Sequence, residues 1–75
     1  MSRITKETVT FESEAIIKAQ YFPLINILKI FYKNESKYLY IDVEPFVWEG
    51  MKRANSAGRF INLYLKDHYE FHRQD

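Results

Sequence analysis

The first half of the chain is patterned for β-strands. Residues 1–12 alternate loosely and mix charges of both signs, which predicts a frayed N-terminal arm. Three runs rich in β-branched and aromatic residues follow, at 15–21, 26–33 and 38–43. Polar residues around Asn34 separate the second run from the third, which predicts a β-hairpin with Asn34 in the left-handed turn position.

The second half is patterned mainly for helices. Pro45 suits the first position of a helix, and the acidic residues just before it favour a helix start. Ser56 suits the N-cap of a second helix that reaches about Asp67, and residues 69–73 alternate as in a short closing strand. The sequence therefore predicts an α+β fold, in which a small antiparallel sheet of three or four strands carries two short helices packed on one face. Residues 13–75 are expected to form this single domain.

One face of the predicted hairpin is rich in tyrosine. Simple pairing across the loop puts Tyr32 opposite Tyr38 and Ile30 opposite Tyr40. Exposed, these rings would form a platform on which nucleic-acid bases stack. We favour the other interpretation, a core face under the two helices, because helices bury their apolar stripes against something.

The opposite face of the hairpin is also apolar, although a half-solvated antiparallel sheet normally alternates apolar and polar residues. It carries Ile27, Phe31, Leu39, Ile41 and Val43, with Lys29 as the main charged residue. Either the N-terminal arm folds over this face, or another chain does, or the exposure is tolerated. We favour a protein partner or self-association, since exposed apolar patches mark interfaces. Trp48, on the first predicted helix, is either an interface anchor or packed over the sheet edge.

The amino-acid composition limits which kinds of site the protein can form. The 75 residues include no cysteine, which excludes disulfides, thiolate zinc sites and a cysteine nucleophile. Eleven basic and ten acidic residues give a net charge of +1, so no strong overall field attracts nucleic acid or membrane. The two predicted helices nevertheless carry four basic residues, Lys52, Arg53, Arg59 and Lys66. They would contact phosphates if RNA bound; in the other interpretation they form an ordinary solvated helix surface.

Signals for catalysis, metal binding and membranes are weak. Ser56 is followed by Gly58 but lacks the complete G-x-S-x-G pattern of a nucleophile elbow, and two glycines cannot form a phosphate-binding loop. His68 and His72 would stand about 13 Å apart on a strand, too far to share a metal. On a helix they could both ligate zinc, but no third ligand follows at a suitable spacing. We therefore expect no enzyme activity, cofactor, metal or small-molecule substrate. With no signal peptide and no membrane-spanning run in the sequence, we expect a cytoplasmic protein without a membrane partner.

The chain resembles the KTSC domain family, which is named for a C-terminal extension of some lysyl-tRNA synthetases and also occurs as a stand-alone domain in bacteria and phages. The resemblance covers residues 13–73 and rests on shared spacing without gaps. Three positions depart from the family pattern: Glu35 stands where glycine is usual, Glu44 precedes the proline, and Trp48 replaces a tyrosine. The matching residues are Ser13, Ile16, Tyr21, Leu28, Ile30, Tyr32, Tyr38, Leu39, Tyr40, Val43, Ala54, Asn55, Ser56, Ala57, Gly58, Phe60, Ile61, Asn62, Leu65 and Tyr69.

Two functions are open at this point. The two apolar faces and the near-neutral charge favour a non-enzymatic module that acts by protein–protein contact through Ile27, Phe31, Leu39, Ile41 and Trp48. The phage members of the family suggest a phage or mobile-element protein that modulates a host factor. The alternative, which the synthetase context implies, is an RNA-binding accessory domain of translation that uses Tyr38, Tyr40, Lys52, Arg53, Arg59 and Lys66.

Overall fold

Five antiparallel strands in sequential order form the frame of the protein, of which the computed structural model describes residues 5–74. The prediction of an α+β fold is confirmed, but the sheet has five strands rather than three or four. The helical elements pack on one face of the sheet. The elements are β1 (Glu7–Thr10), β2 (Ile16–Phe22), β3 (Ile27–Tyr32), β4 (Lys37–Tyr40), α1 (Pro45–Arg53), α2 (Ala57–Phe60), a π-helical segment (Ile61–Leu65) and β5 (Phe71–Gln74).

The unexpected strand is β1, which lies inside the predicted N-terminal arm. It pairs antiparallel with β2, with Glu7 opposite Tyr21 and Thr10 opposite Lys18. Val9 packs against the core, and the Glu7 carboxylate accepts a hydrogen bond from the Trp48 indole at 2.8 Å. The expectation of a frayed arm is therefore wrong for Glu7–Thr10, and these residues extend the sheet edge instead of covering a face. Residues 1–4 of that arm lie outside the described residues.

The hairpin between β3 and β4 is tighter than simple pairing predicts. The Tyr32 amide donates to the Ser36 carbonyl at 2.9 Å, and the Glu35 amide donates to the Tyr32 carbonyl at 3.0 Å. These bonds close a three-residue loop whose last residue, Glu35, has φ 72°. Tyr38 consequently lies opposite Ile30, so the predicted pairing of Tyr38 with Tyr32 is wrong by two residues. Asn34 does not take the left-handed position; its side-chain oxygen accepts from the Ser36 amide at 3.0 Å.

The core lies between the sheet and the helical segments. Pro45 begins α1 and Ser56 caps α2 by accepting from the Arg59 amide at 3.2 Å, both as predicted. Val43, expected on the opposite face, is fully buried, because Asp42 has φ 59° and the chain turns there toward the core. The buried apolar residues are Ile16, Ala19, Tyr21, Leu28, Ile30, Tyr40, Val43, Trp48, Met51, Ala57, Ile61 and Leu65.

Candidate functional site

The sheet has one face that no described element covers, and we call it the open face. Its membership follows from the strand register, since residues opposite each other in neighbouring strands share a face. Ile41, one residue beyond β4, continues the alternation. The open face consists of Thr8, Thr10, Ile17, Lys18, Gln20, Phe22, Ile27, Lys29, Phe31, Lys37, Leu39, Ile41, His72 and Gln74.

The centre of the open face is apolar, as the sequence predicts. Ile27, Phe31, Leu39 and Ile41 are only partly buried there. Ile17 is 46% exposed, because the register of β2 shifts between Ile16 and Lys18 and leaves it on a bulge. The apolar surface therefore spans three strands and remains in contact with solvent.

Three lysines surround Phe31 on the open face. Lys18 and Lys37 are its cross-strand partners in β2 and β4, and Lys29 lies two residues before it in β3. The Lys18 and Lys29 ammonium nitrogens lie 4.7 and 5.0 Å from the centroid of the Phe31 ring. None of the three lysines forms an ion pair with a residue between 5 and 74, and the strand residues of this face include no aspartate or glutamate. The open face is thus apolar at its centre and positively charged around it.

Trp48 does not belong to this surface. Its side chain is 2% exposed, its ring stacks on Tyr21 with centroids 5.7 Å apart, and its indole nitrogen donates to Glu7. The interpretation of Trp48 as an exposed interface anchor is therefore wrong. Trp48 can be buried because β1, a strand that the sequence did not predict, supplies the hydrogen-bond acceptor that its indole nitrogen needs.

The predicted RNA-binding residues do not form one surface. Tyr40 is buried and Tyr38 is partly buried on the helix side of the sheet. Lys52 is bound by Glu7 and Glu49, each at 2.9 Å. Arg53, Arg59 and Lys66 are exposed; Lys66 lies in a cleft beside Tyr38 and Tyr40, whereas Arg59 lines a different depression with Phe60 and Tyr64.

The two histidines near the end of the chain stay apart from any cluster of ligands. The Nε2 atom of His72 lies 3.0 Å from the Glu70 carboxylate, and both side chains are exposed. Within residues 5–74, no group of three potential ligating side chains could hold a metal ion.

Sequence reasoning missed Lys18 and Lys37 as members of the candidate surface. Neither is conspicuous in the sequence, because they are separated from Phe31 by different distances along the chain. Only the pairing of β2 and β4 with β3 brings them beside that ring. A correct register for both neighbouring strands would have found them.

Comparison with known proteins agrees with this architecture. The model of the KTSC domain family matches residues 12–69. The chain belongs to the KTSC domain family. A protein of Tsukamurella paurometabola is 38% identical over 58 residues, which cover 77% of this chain and 87% of the relative. The crystal structure of a KTSC domain protein from Yersinia pestis superposes with a TM-score of 0.87 at 21% identity, covering 95% of this chain and all of that one.

The resemblance drawn from the sequence is thereby confirmed, and the Yersinia structure supports the fold. Several residues that carry the family resemblance are structural: Ile16, Leu28 and Leu65 are fully buried in the core. Across residues 5–74, the structure contains no helix long and apolar enough to cross a membrane.

Proposed function

We propose that this KTSC domain is a non-enzymatic binding module that docks an acidic protein surface on its open face. The observation that carries the proposal is the combination of an uncovered apolar centre with Lys18, Lys29 and Lys37 around Phe31. A partner with an apolar patch bordered by carboxylates would bury that centre and pair with the lysines, which steers association and fixes orientation.

A second copy of this chain fits the open face less well. Face-to-face docking with the two-fold axis near Phe31 would bring the three lysines of one protomer against the same three of the other, and no carboxylate on the strands of that face would separate them. Like charges at a desolvated interface are costly. We therefore propose a different protein as the occupant. The expected cytoplasmic location and the expected phage or mobile-element origin stay predictions.

RNA is the less favoured occupant because the Phe31 ring already contacts two lysine side chains. Base stacking needs an accessible ring face, and two lysine ammonium groups already lie over this ring. The net charge of +1 also provides little attraction for a polyanion over the whole molecule.

Site-specific photocrosslinking tests the proposal. A benzophenone amino acid replaces Ile17 on the open face or Leu63 on the helix side, two apolar residues of similar exposure at 46% and 53%. Both variants of the full chain are irradiated in lysate of the source organism, and the crosslinked peptides are sequenced by mass spectrometry. We expect the Ile17 probe alone to label a protein, at a peptide rich in aspartate and glutamate. The adduct should disappear when Lys18, Lys29 and Lys37 are all changed to Glu.

Three outcomes would overturn the proposal. An adduct that RNase removes would assign the face to RNA, and an adduct between two copies of the chain would assign it to self-association. Labelling of the same proteins from both probe positions would mean that the open face has no selectivity.

A further inference from the structure

A second surface feature lies on the helix side of the sheet, away from the open face. A cleft of about 260 Å³ opens where the π-helical segment crosses the end of the β3–β4 hairpin. Its walls include Tyr32, Tyr38, Tyr40, Asn62, Lys66 and Phe71. The volume is slightly below the roughly 300–1,000 Å³ of pockets for drug-sized ligands, so the cleft suits a smaller molecule.

Aromatic rings form the apolar wall of the cleft. The Phe71 ring centroid lies 5.3 Å from that of Tyr38 and 5.5 Å from that of Tyr40, both in tilted arrangements. Tyr32 contacts Tyr38 edge-on, with centroids 5.3 Å apart. Because β3, β4 and β5 each hold part of this cluster, the wall is fixed by the sheet and would receive a planar or apolar group without rearrangement.

The polar side chains of the cleft include one cation and no carboxylate. Lys66 can only donate, whereas the other polar side chains that line the cleft can donate or accept: Tyr32, Asn34, Ser36, Tyr38, Tyr40 and Asn62. No aspartate or glutamate lines it. Burial raises the pKa of Tyr40 and of Tyr32, and a hydrogen bond joins their two hydroxyls. Asp67 acts on Tyr40 electrostatically but does not line the cleft.

The π-helical segment shapes the mouth of the cleft. The Lys66 amide donates to the Ile61 carbonyl, five residues earlier, at 2.8 Å. This spacing gives a wider turn than an α-helix has, and such turns occur frequently at functional sites. Asn62 and Lys66 both line the cleft from this turn.

We propose that this cleft binds a small organic anion, a carboxylate or a phosphate monoester attached to a planar or apolar body. The acidic group is held by Lys66, Asn62 and the hydroxyls of Tyr32 and Tyr38, and the body lies against Phe71 and the tyrosine rings. A charge-assisted hydrogen bond from an ammonium group is stronger than a neutral one and is a common basis of anion recognition. The site is separate from the open face and does not depend on the function proposed for it.

NMR titration of the full chain tests this assignment with two pairs of probes. Benzoate and phenyl phosphate carry the acidic group, and benzamide and phenol are their uncharged counterparts. We expect at least one anion to shift the amide signals of β4, Asn62 and Lys66 saturably at millimolar concentration, and more strongly than its uncharged counterpart. Comparison of the two anions distinguishes a carboxylate ligand from a phosphate ligand.

Two variants locate the charge that is responsible. Lys66→Met keeps the apolar stem and should weaken anion binding about tenfold, as expected for the loss of a hydrogen bond from a charged group. Arg59→Met removes a comparable exposed cation outside the cleft and should leave the affinity unchanged. The proposal fails if neither anion saturates, if the uncharged probes bind equally well, or if both variants weaken binding to the same extent.

Discussion

The indole of Trp48 stacks on the phenol ring of Tyr21, with centroids 5.7 Å apart and planes inclined by 15°. The contact joins α1 to β2, and the hydrogen bond from Trp48 to Glu7 adds β1. The Tyr21 hydroxyl donates to the Val43 carbonyl at 2.6 Å, at the point where the chain leaves the sheet for α1. One stacked pair therefore connects the edge strand, its neighbour and the first helix.

Truncation at Trp48 should be strongly destabilising. We expect Trp48→Ala to lower the free energy of unfolding by about 3–5 kcal/mol, because a large buried ring is removed. Trp48→Phe keeps a ring but loses the donor to Glu7, and should cost less. Urea denaturation measures both, with Tyr64→Ala, at a residue 56% exposed, as the control expected to cost little. An equal loss for Trp48→Ala and Tyr64→Ala would contradict the core position of Trp48.

Acidic pH should weaken the attachment of β1 to the rest of the domain. Hydrogen bonds from Trp48 and Lys52 lower the pKa of Glu7 in the folded protein. The carboxylate therefore stabilises the fold at neutral pH, and this contribution is lost as the pH falls through the lowered folded pKa. Thermal unfolding between about pH 6 and pH 3 should show a smaller decline for Glu7→Gln than for the wild type. Parallel declines would show that Glu7 does not couple to folding.

The sequence was sufficient for elements that depend on near neighbours in the chain but not for features that depend on pairing partners. Alternation and helical spacing predicted the hairpin, the start of α1 and the cap of α2, since each depends on residues close in the chain. The register of the β3–β4 hairpin depends on Glu35, which adopts the left-handed backbone conformation. Side-chain type alone favoured Asn34 for that position. β1 is short, polar and stabilised by contacts with α1 some forty residues away, so no local signal marks it. Lys18 and Lys37 of the open face were missed for the same reason, whereas Lys29 was placed on it.

Alkaline pH should destabilise the protein through its buried phenols. Burial raises the pKa of Tyr40 well above that of a free phenol, and the side chain is 2% exposed. Above about pH 10 the unfolded chain releases this proton while the folded chain retains it, so stability falls as the pH rises. Denaturation between about pH 9 and pH 11 should show a shallower fall for Tyr40→Phe than for Tyr64→Phe. Identical slopes for the two variants would contradict the prediction.

The hairpin loop offers a stabilising substitution. Glu35 has φ 72°, a conformation that costs an ordinary L-residue roughly 1–2 kcal/mol and glycine almost nothing. Part of that gain is offset by the larger conformational entropy of glycine in the unfolded chain. Glu35→Gly should therefore raise the free energy of unfolding by about 0.5–1 kcal/mol. Asn26→Gly is the comparison and should gain less, since asparagine at φ 54° already tolerates this region and its side chain accepts a hydrogen bond from Tyr21 at 3.1 Å that glycine would lose.

Substitutions at two adjacent residues of β3 should distinguish the core face of the sheet from the open face. Ile30 is fully buried under the helices, whereas Phe31 lies on the open face. We expect Ile30→Asp to unfold the domain, because it buries an unpaired charge. Phe31→Asp should keep the helical circular dichroism signal and abolish the Ile17 crosslink. Unfolding by Phe31→Asp would show instead that this face contributes to the core.

The sequential order of the sheet determines how the domain would sit in a longer polypeptide. β1 and β5 form opposite edges of the five-stranded sheet, about four strand spacings or roughly 19 Å apart. Four successive antiparallel pairings also make the two edge strands run in the same direction. A segment fused before β1 and another fused after β5 would depart from diagonally opposite corners. Inserted between two neighbours, the domain would act as a rigid spacer that holds them apart.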